Sequence, residues 1–107
     1  MTEIDPAAAG MRTVLITGAA YRIGRAIARS FADRGWQVVI HYRSSPDAAE
    51  TLAAEIRAAG GKAATLIADL AEADQVRLLL PRCIERAGAP HCLVNNASLY
   101  LDDELAT

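Results

Sequence analysis

TVLITGAAYRIGRAIARSFADR, from Thr13 to Arg34, decides the fold. Val14, Leu15 and Ile16 make a short β-rich apolar run suited to a strand buried on both faces, and Thr17-Gly18 breaks it at once. The spacing then predicts a helix with Ile23, Ala26, Ile27 and Phe31 on its buried face and Gly35 at its end. A strand, a tight glycine turn and a helix N-terminus together form an anion site. The turn gathers backbone N–H groups with no side chain in the way, and the helix start adds partial positive charge. A dinucleotide, bound by its pyrophosphate, is the first ligand this predicts.

The rest of the chain repeats the alternation. Trp36 to Tyr42 reads as a second strand, Pro46 to Ala59 as a second helix ended by Gly60-Gly61, and Lys62 to Ala68 as a third strand. The second helix has Ser45 at the N-cap, Pro46 at the first helical position and Asp47 in the first turn. A third helix is predicted from about Ala71 to Ala87, buried through Val76, Leu79, Leu80, Cys83 and Ile84. Pro81 falls in its interior and predicts a kink or two shorter helices. His91 to Val94 completes the set as a fourth strand. The fold class is α/β: a Rossmann-type, doubly wound parallel sheet of order 3-2-1-4 between two helical layers.

Composition sets limits on function. The chain has 107 residues, 52% hydrophobic and 22% charged, with a net charge of -2, which suits a soluble domain of at most one core. That charge offers no general attraction for nucleic acid or anionic membrane. No apolar run approaches the ~20 residues needed to span a bilayer. Met1 to Gly10 lacks the basic start and apolar centre of a signal peptide, so a frayed leader over residues 1–10 and a cytoplasmic protein are expected. Residues 11–107 then form the dinucleotide-binding part. Cys83 and Cys92 lack metal-ligand or C-x-x-C spacing and read as buried thiols, and no metal site is expected. His41 and His91 lie at strands, remote from any patterned acid, and read as structural.

The end of the second strand bears on which dinucleotide binds. NAD-binding units carry an acid about twenty residues past the glycines to accept the ribose hydroxyls. Here the place holds Tyr42-Arg43-Ser44-Ser45, with no acid before Asp47. A guanidinium fork and hydroxyls suit a 2′-phosphate, so NADP(H) is favoured, although Arg43 also reads as a solvated loop charge and Ser45 as a helix cap.

Thr17-Gly18-Ala19-Ala20-Tyr21-Arg22-Ile23-Gly24 departs from G-x-G-x-x-G. It resembles the T-G-x-x-x-G-x-G turn of short-chain dehydrogenase/reductases, with Arg22 in place of the middle glycine as in pteridine reductases. Asp69-Leu70 resembles that family's D-[LV] step, and Asn95-Asn96-Ala97-Ser98 its N-N-A-G motif with Ser98 for glycine. With Tyr42 to Ser45 after the second strand, these make four family landmarks that occur in order and in register with the strands. The resemblance implies an NADPH-dependent oxidoreductase. Gly18, Tyr21, Arg22, Ile23, Gly24, Tyr42, Arg43, Ser44, Asp69, Leu70, Asn95, Ala97 and Ser98 would contact the cofactor. It further implies that Asp69 meets the adenine amino group, and that Arg22 reaches the pyrophosphate and, in a pteridine reductase, the pterin.

The family's catalytic serine, its Tyr-x-x-x-Lys pair and the asparagine of its proton relay would all lie beyond Thr107. Tyr21, Tyr42 and Tyr100 have no lysine four residues on, so no catalytic residue is assigned within the chain. The resemblance implies hydride transfer to a C=N or C=O group of a small-molecule substrate, and a homo-oligomer, as in the family's homotetramers, assembled through the C-terminal part. Two alternatives stay open. One is another short-chain reductase, such as a 3-oxoacyl carrier-protein reductase, and the other is a non-catalytic module that binds NADP(H).

Overall fold

The computed structural model describes residues 11–96, and the expected leader, Ala97, Ser98 and Tyr100 lie outside them. Strands β1 (Thr13–Ile16), β2 (Gln37–Tyr42), β3 (Lys62–Ile67) and β4 (Cys92–Val94) alternate with helices α1 (Arg22–Asp33), α2 (Pro46–Ala58) and α3 (Ala73–Ala87). The sheet is parallel in the order β3-β2-β1-β4, as predicted. The crossovers from β1 to β2 and from β2 to β3 run in one direction and that from β3 to β4 in the other. Right-handed connections therefore put α1 and α2 on one face and α3 on the opposite face.

Each face has its own core. Val14, Ile16, Val38 and Ile40 meet Ala28 of α1 and Ala49, Leu52, Ala53 and Ile56 of α2. Leu15, Val39, Leu66 and Ala68 meet Leu79 and Cys83 of α3. The alternation along β1 and β2 explains why both strands are wholly apolar at their centres: successive residues serve different cores.

Several details differ from the sequence reading. The inward face of α1 is turned by about one residue: Gly24 and Ala28 are buried, Ile27 and Phe31 partly so, whereas Ala26 is exposed and Ile23 is 67% exposed. At Gly24 the helix approaches the end of β1 too closely for a larger residue to stand there. On α3 only Leu79 and Cys83 are buried, and Val76, Leu80 and Ile84 stay about half exposed. Those three lie on one stripe at i, i+4 and i+8, turned away from the β3 side on which the helix packs. Leu93 on β4 is 61% exposed, and among the described strands β4 pairs with β1 alone. Cys83 is a buried thiol as expected, but Cys92 is only half-buried. Burial pushes the Cys83 thiol pKa up, which disfavours the reactive thiolate.

Ser45 occupies the N-cap position of α2, but its hydroxyl makes no capping hydrogen bond. The helix start relies instead on Pro46 at its first position and Asp47 in its first turn. Helix α3 runs without a break through Pro81, so the two shorter helices are not formed. The proline ring is exposed and supplies no N–H to the carbonyl one turn earlier. Pro81→Ala restores that donor without opening a cavity. It is expected to stabilise the protein by about 1–3 kcal/mol, read as a raised urea midpoint at unchanged slope. An unchanged midpoint would mean that the helix has already relaxed around the ring.

Candidate functional site: the glycine turn at the strand ends

The turn between β1 and α1 sits at the C-terminal end of the sheet, where open parallel sheets bind their ligands. Gly18 has φ +65°, in the left-handed region that a glycine enters without strain. Arg22 also has a left-handed φ, +50°, a conformation costing a non-glycine residue roughly 1–2 kcal/mol. Arg22 is the residue standing where the family turn has its middle glycine, so the backbone keeps the glycine conformation although the side chain has changed. The guanidinium is thereby carried on an exposed residue at the mouth of the turn.

Gly24 is held by contact rather than by φ. A Cβ there would lie 2.4 Å from the Gly18 carbonyl oxygen, 2.7 Å from Asn96 Nδ2 and 2.9 Å from Ala19 Cα. Only glycine lets the first turn of α1 rest on the end of β1.

Thr17 and Asn96 tie this turn to β4. The Thr17 amide donates to the Val94 carbonyl at 3.0 Å, and its hydroxyl accepts from the Asn96 amide at 2.8 Å. The same hydroxyl has two acceptors in reach, Asn95 Oδ1 at 3.2 Å and the Val94 carbonyl at 3.3 Å. Asn96 Nδ2 then donates to the Gly18 carbonyl at 3.2 Å. Asn96, rather than Asn95, thus satisfies the backbone of the turn. On the other side Gly18 N–H donates to His41 Nδ1 at 2.9 Å, and Ala19 N–H to the His41 carbonyl at 3.1 Å.

Charge is distributed unevenly over the helix starts. Helices α2 and α3 carry Asp47 and Asp74 in their first turns, whereas α1 has no acid there and begins at Arg22. The next two arginines of α1 are engaged. Arg25 hydrogen-bonds Glu55 of α2, and Arg29 meets the same carboxylate oxygen at 2.8 Å. Among the described residues Arg22 has no ion-pair partner. The first N–H groups of a helix also lack intrahelical acceptors, so this end carries positive potential that no carboxylate of its own first turn offsets.

The remaining predicted residues line the ends of β2 and β3, except Tyr21, which directly precedes α1. Tyr42 is half-buried against the α1 and α2 core, Ser44 is exposed and Tyr21 is 56% exposed. Arg43 Nε lies 3.8 Å from Asp69 Oδ1, with both side chains partly exposed. At that distance and exposure the pair adds well under 1 kcal/mol and holds the guanidinium only loosely. Asp69 Oδ1 also accepts from the Ala71 amide at 3.0 Å, and Leu70 packs onto the α3-side core. The sheet brings Gly18, Arg22, Gly24, Arg43, Asp69 and Asn95 to one edge, while Ala97 and Ser98 fall outside the described residues.

Three residues of this edge were missed as site residues in the sequence: Thr17, His41 and Asn96. A signal existed for Thr17 and Asn96, which flank Gly18 and Asn95 within the quoted motifs. His41 offered none, since its partner is a backbone amide 23 residues away. His91 is the second structural histidine: its Nδ1 accepts from the Thr13 amide at 3.0 Å. Among the described residues no group of three or more His, Cys, Asp or Glu side chains is placed to hold a metal, and no helix is long and apolar enough to cross a membrane.

A parallel sheet with a glycine turn, an acid-free helix start and polar strand ends defines a Rossmann-type nucleotide-binding unit. The chain belongs to the short-chain dehydrogenase family, whose model matches residues 12–106. It is 35% identical over 94 residues to 3-oxoacyl-[acyl-carrier-protein] reductase FabG of Staphylococcus epidermidis, covering 88% of this chain and 38% of that protein. Among solved structures it is similar to the FolM alternative dihydrofolate reductase 1 of Brucella suis in complex with NADP. That match has a TM-score of 0.77 and 43% identity, over 83% of this chain and 37% of the other. A blue fluorescent protein from a metagenomic library, in complex with NADPH, matches with a TM-score of 0.76 and 35% identity, over 80% and 36% of the two chains. The chain therefore spans a little over a third of the length of these relatives.

Replacing Gly24 with Ala forces its methyl into the Gly18 carbonyl. The expected cost is about 1–3 kcal/mol in chemical denaturation, together with weaker nucleotide binding. A Gly24→Ala protein with wild-type stability and affinity would show that α1 can retreat from β1 freely.

Proposed function

We propose that this chain is the cofactor-binding part of an NADPH-dependent short-chain reductase. The observation that carries the reading is the meeting, at one sheet edge, of the Gly18 to Gly24 turn with a β2 exit that holds Arg43 and no carboxylate. The residues fit the group. The first-turn amides of α1 and Arg22 would take the pyrophosphate, Arg43 and Ser44 the 2′-phosphate, and Asp69 and the Leu70 backbone the adenine end. Asn95, Ala97 and Ser98 would lie along the nicotinamide side. The cofactor, when bound, supplies the hydride.

Support for NADP rather than NAD comes from Arg43 and from the two similar structures with NADP and NADPH bound. The Asp69 carboxylate meets Arg43 only at 3.8 Å, a contact against which a phosphate would compete on better terms. In the protein as its gene encodes it, Arg43→Ala is expected to weaken NADPH binding by about tenfold to a hundredfold and to leave NADH binding nearly unchanged, as measured by calorimetric titration. Equal losses for both cofactors would remove Arg43 from recognition of the 2′-phosphate.

For the substrate we favour a pterin or dihydrofolate-like C=N compound. Arg22, at the mouth of the turn with a left-handed backbone, would offer a planar donor fork to a pterin, as the resemblance to pteridine reductases implies, and the FolM reductase is the more identical of the two named enzymes. Reduction of a 3-oxoacyl thioester is the second reading, supported by the similarity to FabG. Assay of the gene-encoded protein with dihydropterin and with a 3-oxoacyl substrate separates the two. The described residues contain no tyrosine paired with a lysine, so proton donation falls to a part beyond Thr107. Residues 1–107 alone are expected to show no NADPH oxidation with either substrate, and turnover by that fragment would place the chemistry within it.

A further inference from the structure

His41 is a buried imidazole on β2, 1% exposed, whose two nitrogens both reach backbone groups of the site edge. Nδ1 accepts from the Gly18 amide at 2.9 Å, and Nε2 lies 2.8 Å from the Ala68 carbonyl. A carbonyl can only accept, so Nε2 carries the proton and Nδ1 is bare. The ring is thus held as one neutral tautomer between the glycine turn and the residue preceding Asp69. Its own backbone carbonyl takes the next amide of the turn, from Ala19 at 3.1 Å. One residue therefore fixes both amides at the entry of the turn.

We propose that His41 is a positioning residue for the nucleotide: it locks the Gly18 turn in its binding shape through the Nδ1 acceptor and ties that turn to the adenine side of the site through Ala68. The assignment rests on the nucleotide reading above. A proton on Nδ1 would turn that acceptor into a donor facing the Gly18 N–H. Two donors cannot share the contact, so the turn must open or the ring must swing, and either breaks the bridge to Ala68.

The surroundings resist that proton. On this face β1 and β3 present Leu15, Leu66 and Ala68, which do not titrate, and α3 presents Cys83 and Arg82. Arg82 donates to the Ile67 carbonyl at 2.6 Å, one residue from the ring's own acceptor. Asp69 and Arg43 stand at the adjoining strand exits, paired with each other. Burial, and then the Arg82 charge, lower the His41 pKa, against the opposing Ala68 hydrogen bond. The sign follows. A histidine whose folded pKa lies below its unfolded value contributes its stability above about pH 6.5, and that contribution is lost as the pH falls toward the folded value.

The test uses the gene-encoded protein and NADP+, which tolerates acid. Nitrogen-15 spectra of the ring should show the Nε2–H tautomer, and the Gly18 amide should shift in step with the ring as the pH is lowered. His41→Leu should bind NADP+ about tenfold more weakly at pH 7.5, the equivalent of one hydrogen bond. His41→Asn, whose Oδ1 keeps an acceptor near the Nδ1 position and does not titrate, should recover most of that loss. It should also lack the imidazole step in the pH profile, retaining only the step of the 2′-phosphate. An Nδ1–H tautomer in the wild type would overturn the proposal, as would His41→Leu binding within twofold of wild type with the same profile, or equal losses in the Leu and Asn variants. If His41→Leu fails to fold, the tautomer and the His41→Asn profile still decide. Failure of the wild type to bind NADP+ at any pH would instead sink the nucleotide reading and leave the Gly18 titration to judge His41 separately.

Discussion

The close approach of α1 to the end of β1 is the constraint on which the other features depend. With 2.4 Å between the Gly18 oxygen and the place of a Cβ on Gly24, the helix can be seated in one way only. That seating turns Gly24 and Ala28 inward and leaves Ile23 at the mouth of the turn. It also brings the first-turn amides to the crevice at the sheet edge. Because the helix cannot cover the turn with side chains, the turn's own polar groups must be satisfied from β2 and β4, which is what His41, Thr17 and Asn96 do. Buried polar groups left unpaired would each cost about 1–3 kcal/mol, so the network is as necessary as the glycines.

Electrostatics then divides labour among the arginines. Arg25 and Arg29 converge on one carboxylate of α2 and serve to join the two helices of that face. Arg22, one turn earlier, stays out of that cluster and sits on a backbone conformation it adopts at some cost. Arg43 meets Asp69 loosely across neighbouring strand ends. Positive groups therefore stand at two places along the strand ends, although the chain as a whole is slightly acidic. Local placement, not net charge, sets the affinity for an anion.

Most of the architecture was legible because periodicity and punctuation agree. Val14 to Ile16 and Val38 to Ile40 alternate between two cores, and Gly35, Gly60 and Gly88 fall where chain direction changes, all with positive φ. What escaped was whatever depends on distance across the fold. The inward face of α1 was misjudged because apolar spacing favours Ile23, whereas the packing distance favours glycine. The buried face of α3 was overestimated because Val76, Leu80 and Ile84 are apolar by composition, and no sequence pattern says how far a neighbouring layer extends. Ser45 was legible as a cap position but not as an inactive cap, since hydroxyl direction is decided by the loop. His41 is the extreme case: a histidine in a strand is unremarkable until the strand beside it places an amide on one nitrogen and a carbonyl on the other.

Trp36 gives the molecule a built-in reporter of limited range. It is the chain's single tryptophan, set edge-on to Phe31 with ring centroids 5.0 Å apart and the Arg12 guanidinium 5.7 Å from its ring. The indole stands just before β2, whereas the crevice lies past Tyr42, and six strand residues span about 20 Å. Its emission will follow the docking of α1 on the sheet and be deaf to direct contact with anything bound at the glycine turn. Unfolding can thus be followed at the α1–sheet junction itself, by a ring that sits about 20 Å from the turn.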